Sequence, residues 1–193
     1  MVDETVVADL VLRGAHLDGI RADRATFERV RLVGSSLAGA RMDDLSLRDV
    51  VLVACDLSNL VLVEPVLARV ELHDCRITGM SIDGGRLHDV RFAACTGEAL
   101  SLTGVVGERL SVEDCQWPEV DLRGARLTDL LVQRSQLPRS EWLRARMETA
   151  RFTLSDLSDV KGATGLRGSA IDAATLATAA VALADALGIS VRD

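Results

Sequence analysis

From Leu12 to Gly162 every fifth residue belongs to one apolar register: of 31 positions, 27 carry Leu, Ile, Val, Met, Phe or Trp, and the others are Ala22, Gly97, Gly107 and Gly162. All five aromatic residues of the chain, Phe27, Phe92, Trp117, Trp142 and Phe152, fall in it. A second register two residues earlier, from Leu10 to Val160, carries mostly Leu, Val, Ala, Cys and Ser. A helix repeats at 3.6 residues and a long strand at 2, so neither explains a period of five. Two apolar residues separated by a polar one point the same way only where the backbone is extended, and the rest of each five must then turn a corner. Eight of the 15 glycines (Gly14, Gly19, Gly34, Gly39, Gly79, Gly84, Gly104 and Gly124) stand two places after the central apolar residue, where a corner calls for positive φ.

The cysteines set the number of sides. Cys55, Cys75, Cys95 and Cys115 are 20 residues apart, which is four units of five, and Val30, Val50, Val70 and Val90 recur at the same interval. Residues 20 apart then stack along an axis at about 4.8 Å, the spacing of paired strands. The reading is an all-β solenoid with four sides per coil, in which Ser35, Cys55, Cys75, Cys95, Cys115, Ser135 and Ser155 form one inward column of small side chains. Two glycines lie one coil from a tryptophan in the same column, Gly97 from Trp117 and Gly162 from Trp142. Each indole is therefore expected to lean into the space its glycine leaves. Residues 138–148 carry helix-start signals in Ser140 and Glu141, yet the register of five continues through them and predicts solenoid there too.

Three segments follow: a lead-in over 1–9, the solenoid over 10–164 with about 7.5 coils, and a helix and tail over 165–193. In the last, Asp172 suits a helix N-cap and Gly188 a stop, and Leu176, Ala180, Leu183 and Leu187 recur at helical spacing. Such a helix would cap the apolar end of the last coil. Its surplus of apolar residues points further, to a homodimer.

Units such as ARLTD and CDLSN resemble the pentapeptide-repeat proteins, whose loose consensus is a small residue, a polar one, Leu or Phe, and two variable positions. The resemblance spans roughly residues 8 to 162. It implies a right-handed quadrilateral β-solenoid, and dimeric members of that family use C-terminal helices of this kind. The chain departs from the pattern in placing Arg more often than Asn or Asp before the central residue.

Chemistry is sparse. The sequence has no phosphate-binding glycine loop, HExxH or GxSxG pattern. His16, His73 and His88 fall in outward registers on different sides, and a single row of thiols offers no tetrahedron to a metal. The expectation is a protein that is not an enzyme, with no cofactor and no metal. Net charge is −7, against direct nucleic-acid or anionic-membrane binding, and the N-terminal MVDETVVADL has acids where an export signal carries bases, so the chain reads as cytoplasmic with reduced thiols.

Function must then lie in protein contact, and two readings stay open. The resemblance extends to quinolone-resistance proteins that bind DNA gyrase as DNA mimics, which implies a type II topoisomerase as partner. The candidate face for this is Asp43, Asp44, Glu64 and Asp83, with Arg24 and Arg41 nearby. Residues 10–162 carry 23 acids against 20 bases, a net of −3 over the whole solenoid. DNA carries close to three charges for each 4.8 Å, so averaged around the rod the charge density is far below that of DNA. The alternative is a scaffold or assembly module that binds a partner through an apolar coil, Val51, Val53, Val61, Val63 and Val66, with no DNA mimicry.

Overall fold

The computed structural model describes residues 6–190 of the chain. Residues 1–5 of the expected lead-in and 191–193 of the expected tail lie outside the described residues. In chain order the strands are β1 (Val6–Arg13), β2 (Arg21–Asp23), β3 (Thr26–Val33), β4 (Arg41–Asp43), β5 (Ser46–Val53), β6 (Val61–Val63), β7 (Val66–His73), β8 (Ser81–Asp83), β9 (Arg86–Ala93), β10 (Val106–Glu113), β11 (Arg126–Gln133), β12 (Arg146–Glu148), β13 (Arg151–Thr153) and β14 (Ala170–Ile171). A 3₁₀ turn at Ala163–Leu166 and one helix, α1 (Ala173–Ala186), close the chain. β1 starts at Val6 rather than at residue 10, because Val6 and Val7 already pair in register with Thr26 and Phe27.

Every strand pair is parallel, and partners are 20 residues apart from β1 through β13, as in Val70 with Val90. Each coil has four sides. In the coil that begins at Ser46 they are residues 46–48, 51–53, 56–58 and 61–63, called first to fourth below. The long strands cover the first two sides and bend at the corner between them, while β2, β4, β6 and β8 stack on the fourth. Segment 138–148 is solenoid, with Gln136, Glu141 and Arg146 bridged to the coil before.

What the sequence places at the corners is realised throughout. Every fifth residue from Asp9 to Asp159 has φ near +60°, including all eight glycines named above and 23 residues with side chains. Left-handed backbone costs a non-glycine residue roughly 1–2 kcal/mol. The parallel ladder outweighs it, since corner N–H groups donate to the next coil, as Ala54 N to the His73 carbonyl at 2.9 Å.

The interior is two stacked registers. Ser35, the four cysteines, Ser135 and Ser155 are all buried, and the thiols are free. Trp117 and Trp142 are buried as well. A Cβ added at Gly97 would meet the backbone of Ile77 and Thr78 at 2.7 and 2.6 Å, and one at Gly162 the backbone of Trp142 and Leu143 at 2.9 and 2.8 Å. These glycines thus serve close approach of neighbouring coils. The indoles also meet aromatic partners on other sides: Trp117 meets Phe92 edge-on at 5.0 Å, and Trp142 stacks on Phe152 at 5.6 Å.

The C-terminal end is capped by side-chain oxygens. Asp172 is the N-cap of α1, its Oδ1 accepting from Thr175 N at 2.8 Å and its Oδ2 from Leu154 N at 2.9 Å. Thr175 Oγ1 accepts from Ser155 N and Thr178 Oγ1 from Leu157 N, both at 2.9 Å. The first turns of the helix therefore supply acceptors to strand N–H groups that have no further coil above them. Gly188, at φ +73°, follows the helix as its stop.

Candidate protein-interaction surfaces

Four sides to a coil mean that residues ten apart face opposite ways. This divides the apolar candidates. Val51 and Val53 lie on the second side and Val61 and Val63 on the fourth, so the five valines form no common patch. Val61, Val63 and Val66 remain together around one corner, with Val66 the most exposed at 40%.

The acidic candidates do converge. Asp43 and Asp83 share a column on the fourth side, separated by Val63, and Asp44 and Glu64 occupy the corner beside them. The two outer rungs are two coils, about 10 Å, apart. Arg41 Nη2 lies 3.1 Å from Asp43 Oδ1, and Glu64 folds over Gly84 to accept from Gly85 N at 3.0 Å. Asp44 and Asp83 form no ion pair among the described residues.

The corner between the first and second sides carries a feature that went unread in the sequence. Its residues, one per coil, are Asp9, Arg29, Asp49, Arg69, Asp89, Arg109, Asp129 and Thr149. Arg29 bonds Asp9 at 2.6 and 2.8 Å, Arg69 bonds Asp49 at 2.5 and 2.7 Å, and Arg109 bonds Asp89 at 2.6 and 3.3 Å. The hydrogen bonds from these guanidiniums hold the three carboxyls below their ordinary range. Arg134 with Asp114 and Arg139 with Glu119 repeat the arrangement at the next two corners. The signal was an acid and a base alternating at intervals of 20. With four Asp alternating with three Arg, this edge presents no run of negative charge.

Of the helix residues singled out, the structure separates one from three. Leu183 is half-buried towards the solenoid, alongside buried Thr175 and Ala179. Leu176, Ala180 and Leu187 face away, and Leu176, Val181 and Leu187 are 48%, 65% and 77% exposed. No helix among the described residues is long and apolar enough to cross a membrane.

His16, His73 and His88 stand on the third, second and first sides respectively. His73 Nε2 contacts Glu71 at 2.7 Å and His88 Nδ1 contacts Asp89 at 2.8 Å, both exposed pairs. The thiols are shielded: interaction with the Cys115 thiol and burial push the Cys95 thiol up to about 12.

The pentapeptide-repeat family model matches the chain in eight copies, with residues 9–44 matched. No curated protein matches it at a significant level. Among solved structures, full-length QnrB1, a plasmid-mediated fluoroquinolone resistance protein, superposes with a TM-score of 0.51 at 20% identity, over 95% of this chain and 100% of that one. HetL, a pentapeptide repeat protein involved in heterocyst differentiation regulation from the cyanobacterium Nostoc, matches at 15% identity and a TM-score of 0.31, over 86% of this chain and 89% of its own. At these identities the similarity is one of fold. The unbroken register of five and the parallel four-sided coils give the chain the fold of the pentapeptide-repeat proteins, whose family model matches residues 9–44.

Proposed function

We propose that the protein acts by binding another protein through the acidic edge at Asp43, Asp44, Glu64 and Asp83, and that the partner is DNA gyrase, at a surface that otherwise receives DNA. One observation carries the reading: the four acids share one edge within two coils, and Asp44 and Asp83 are uncompensated by any ion pair among the described residues. An ordinary solvated face has no need to gather them. QnrB1, with the same fold, is a fluoroquinolone resistance protein, and that property is carried to this chain only as part of the proposal.

In this reading the protein is a cytoplasmic homodimer, joined through the outer face of α1 at Leu176, Ala180, Val181 and Leu187. The exposed apolar residues of that face supply the reason.

A supercoiling assay with purified gyrase, with and without a fluoroquinolone, tests the central claim. The expected outcome is inhibition, or protection from the drug, that weakens as salt is raised. Asp44→Asn with Asp83→Asn should remove the effect; an unchanged effect in that variant would locate the activity elsewhere. A scaffold reading is supported by Val61, Val63 and Val66 around the same corner, and Val61→Ser with Val63→Ser should impair it while leaving any action on gyrase intact.

A further inference from the structure

The fourth side is a continuous parallel ladder from Arg21 to Lys161, carried past β8 by bridges from Ser81 to Ser101, Asp121, Glu141 and Lys161. Each coil shows two outward residues on it, two positions apart. Arg41 pairs across the side with Asp43 at 3.1 Å, and Arg123 with Asp121 at 2.7 and 3.0 Å. The coil between Arg41 and Ser81 shows Val61 and Val63, and Ser101 with Thr103 further on are small and bonded to each other at 2.9 Å. The side is thus low in relief at its middle, so another sheet could approach to the ~10 Å at which sheets pack.

We propose that this side binds a second copy of the same chain, laid parallel, with the two-fold axis running along the rods. Such an axis keeps each coil level with its counterpart and exchanges the two outward columns. Arg41 then lies opposite Asp43 of the second copy, and Asp121 opposite Arg123, each twice. Every one of these pairs closes into a square of four alternating charges. Val61 lies opposite Val63 of the second copy, so the apolar coil of the side meets itself. Ser81 lies opposite Asp83, a hydroxyl against a carboxylate. An antiparallel copy centred on the same coil would also match Arg41 with Asp121 and Asp43 with Arg123, but it would set Asp83 against Asp83 and the valines against Ser101 and Thr103, which is why the parallel arrangement is favoured. The side is about 34 Å long, from seven steps of one coil, and one side wide. That is less than the ~800 Å² per partner of a standard interface, so the association is weak and concentration-dependent.

The contact shares Asp43 and Asp83 with the edge proposed to bind gyrase, so the two partners would compete for it; it is separate from the helix-mediated dimer. Sedimentation velocity on full chains carrying Leu176→Asp and Val181→Asp isolates it from the latter. In that background a monomer–dimer equilibrium is expected over micromolar to millimolar protein. Arg41→Asp should weaken it about tenfold. Arg41→Asp combined with Asp43→Arg should restore it, since each coil again matches itself. A species monomeric throughout, or one indifferent to Arg41→Asp, overturns the proposal; failure of the double reversal to restore dimers overturns the parallel arrangement. Thermal melts by circular dichroism check that each variant folds. Gyrase assays on Asp44→Asn, which changes a corner residue outside the two facing columns, test the gyrase reading separately.

Discussion

Arg29 bridges coils by holding both carboxylate oxygens of Asp9, its Nε at 2.6 Å and its Nη2 at 2.8 Å, from a corner directly above it. Asp49 with Arg69 and Asp89 with Arg109 continue the same line. Folded-state carboxyls held below their unfolded values contribute stability that is present above the unfolded value, near 3.9, and lost as pH falls through the folded one. Thermal melts should therefore change little through this set between pH 7 and 5 and fall steeply only below about pH 4. Asp49→Asn should flatten that acid limb. A limb unchanged by Asp49→Asn and by Asp89→Asn would show that the ladder contributes nothing.

Left-handed corners predict a reversal of the usual glycine rule. Ala94 (φ +53°) and Leu154 (φ +50°) stand where glycine is unstrained. Replacing either by glycine should raise stability by about 0.5–1 kcal/mol, the steric relief outweighing the entropy of a freer unfolded chain. Gly124→Ala, where nothing lies within 4 Å of the added methyl, should lower it by a similar amount. Urea unfolding midpoints at constant m-value would measure both signs.

The cap predicts an unusual sensitivity to isosteric change. Thr175→Val keeps shape but removes the acceptor for Ser155 N inside a fully buried site. A buried N–H left unpaired costs about 1–3 kcal/mol. Thr178→Ala should cost less, because Thr178 is only half-buried. Equilibrium unfolding of the two variants, followed by far-UV circular dichroism, gives the comparison; equal losses would argue against a hydroxyl-specific cap.

Thiol chemistry should report the integrity of the coil interior. Cys55, Cys75, Cys95 and Cys115 are each at most 2% exposed, and the raised Cys95 thiol supplies almost no thiolate near neutral pH. A chromogenic disulfide reagent at pH 8 should modify none of the four in the folded protein and all four in denaturant. Rapid native labelling would place a thiol at the surface.

The fold was legible because its two periods are independent: the register of five defines a side, and the recurrence of Cys55 at 75, 95 and 115 defines a coil. Glycine corners were legible for the same reason. The 23 corners without glycine were not, since Asp, Arg and Ala carry no sign of left-handed backbone that the ladder alone imposes. The packed face of the helix was not legible from the spacing of Leu176, Ala180, Leu183 and Leu187, of which only Leu183 packs on the solenoid. Thr175 and Thr178 turn inward because a solenoid ends in unpaired N–H groups, and oxygen rather than hydrocarbon satisfies them. The acidic edge was found from spacing, while the valines were grouped by proximity in sequence, and two corners of a square sent them to opposite sides.

The charged corner also bears on how such a rod can change length. Asp and Arg alternate from Asp9 to Asp129 with a true repeat of two coils, 40 residues, although the backbone repeats every 20. Duplicating a single coil would set Asp on Asp or Arg on Arg at the join. Duplicating two would leave the sequence of signs intact. This edge therefore acts as a parity rule on growth, favouring gain or loss of coils in pairs where the backbone alone would accept them one at a time.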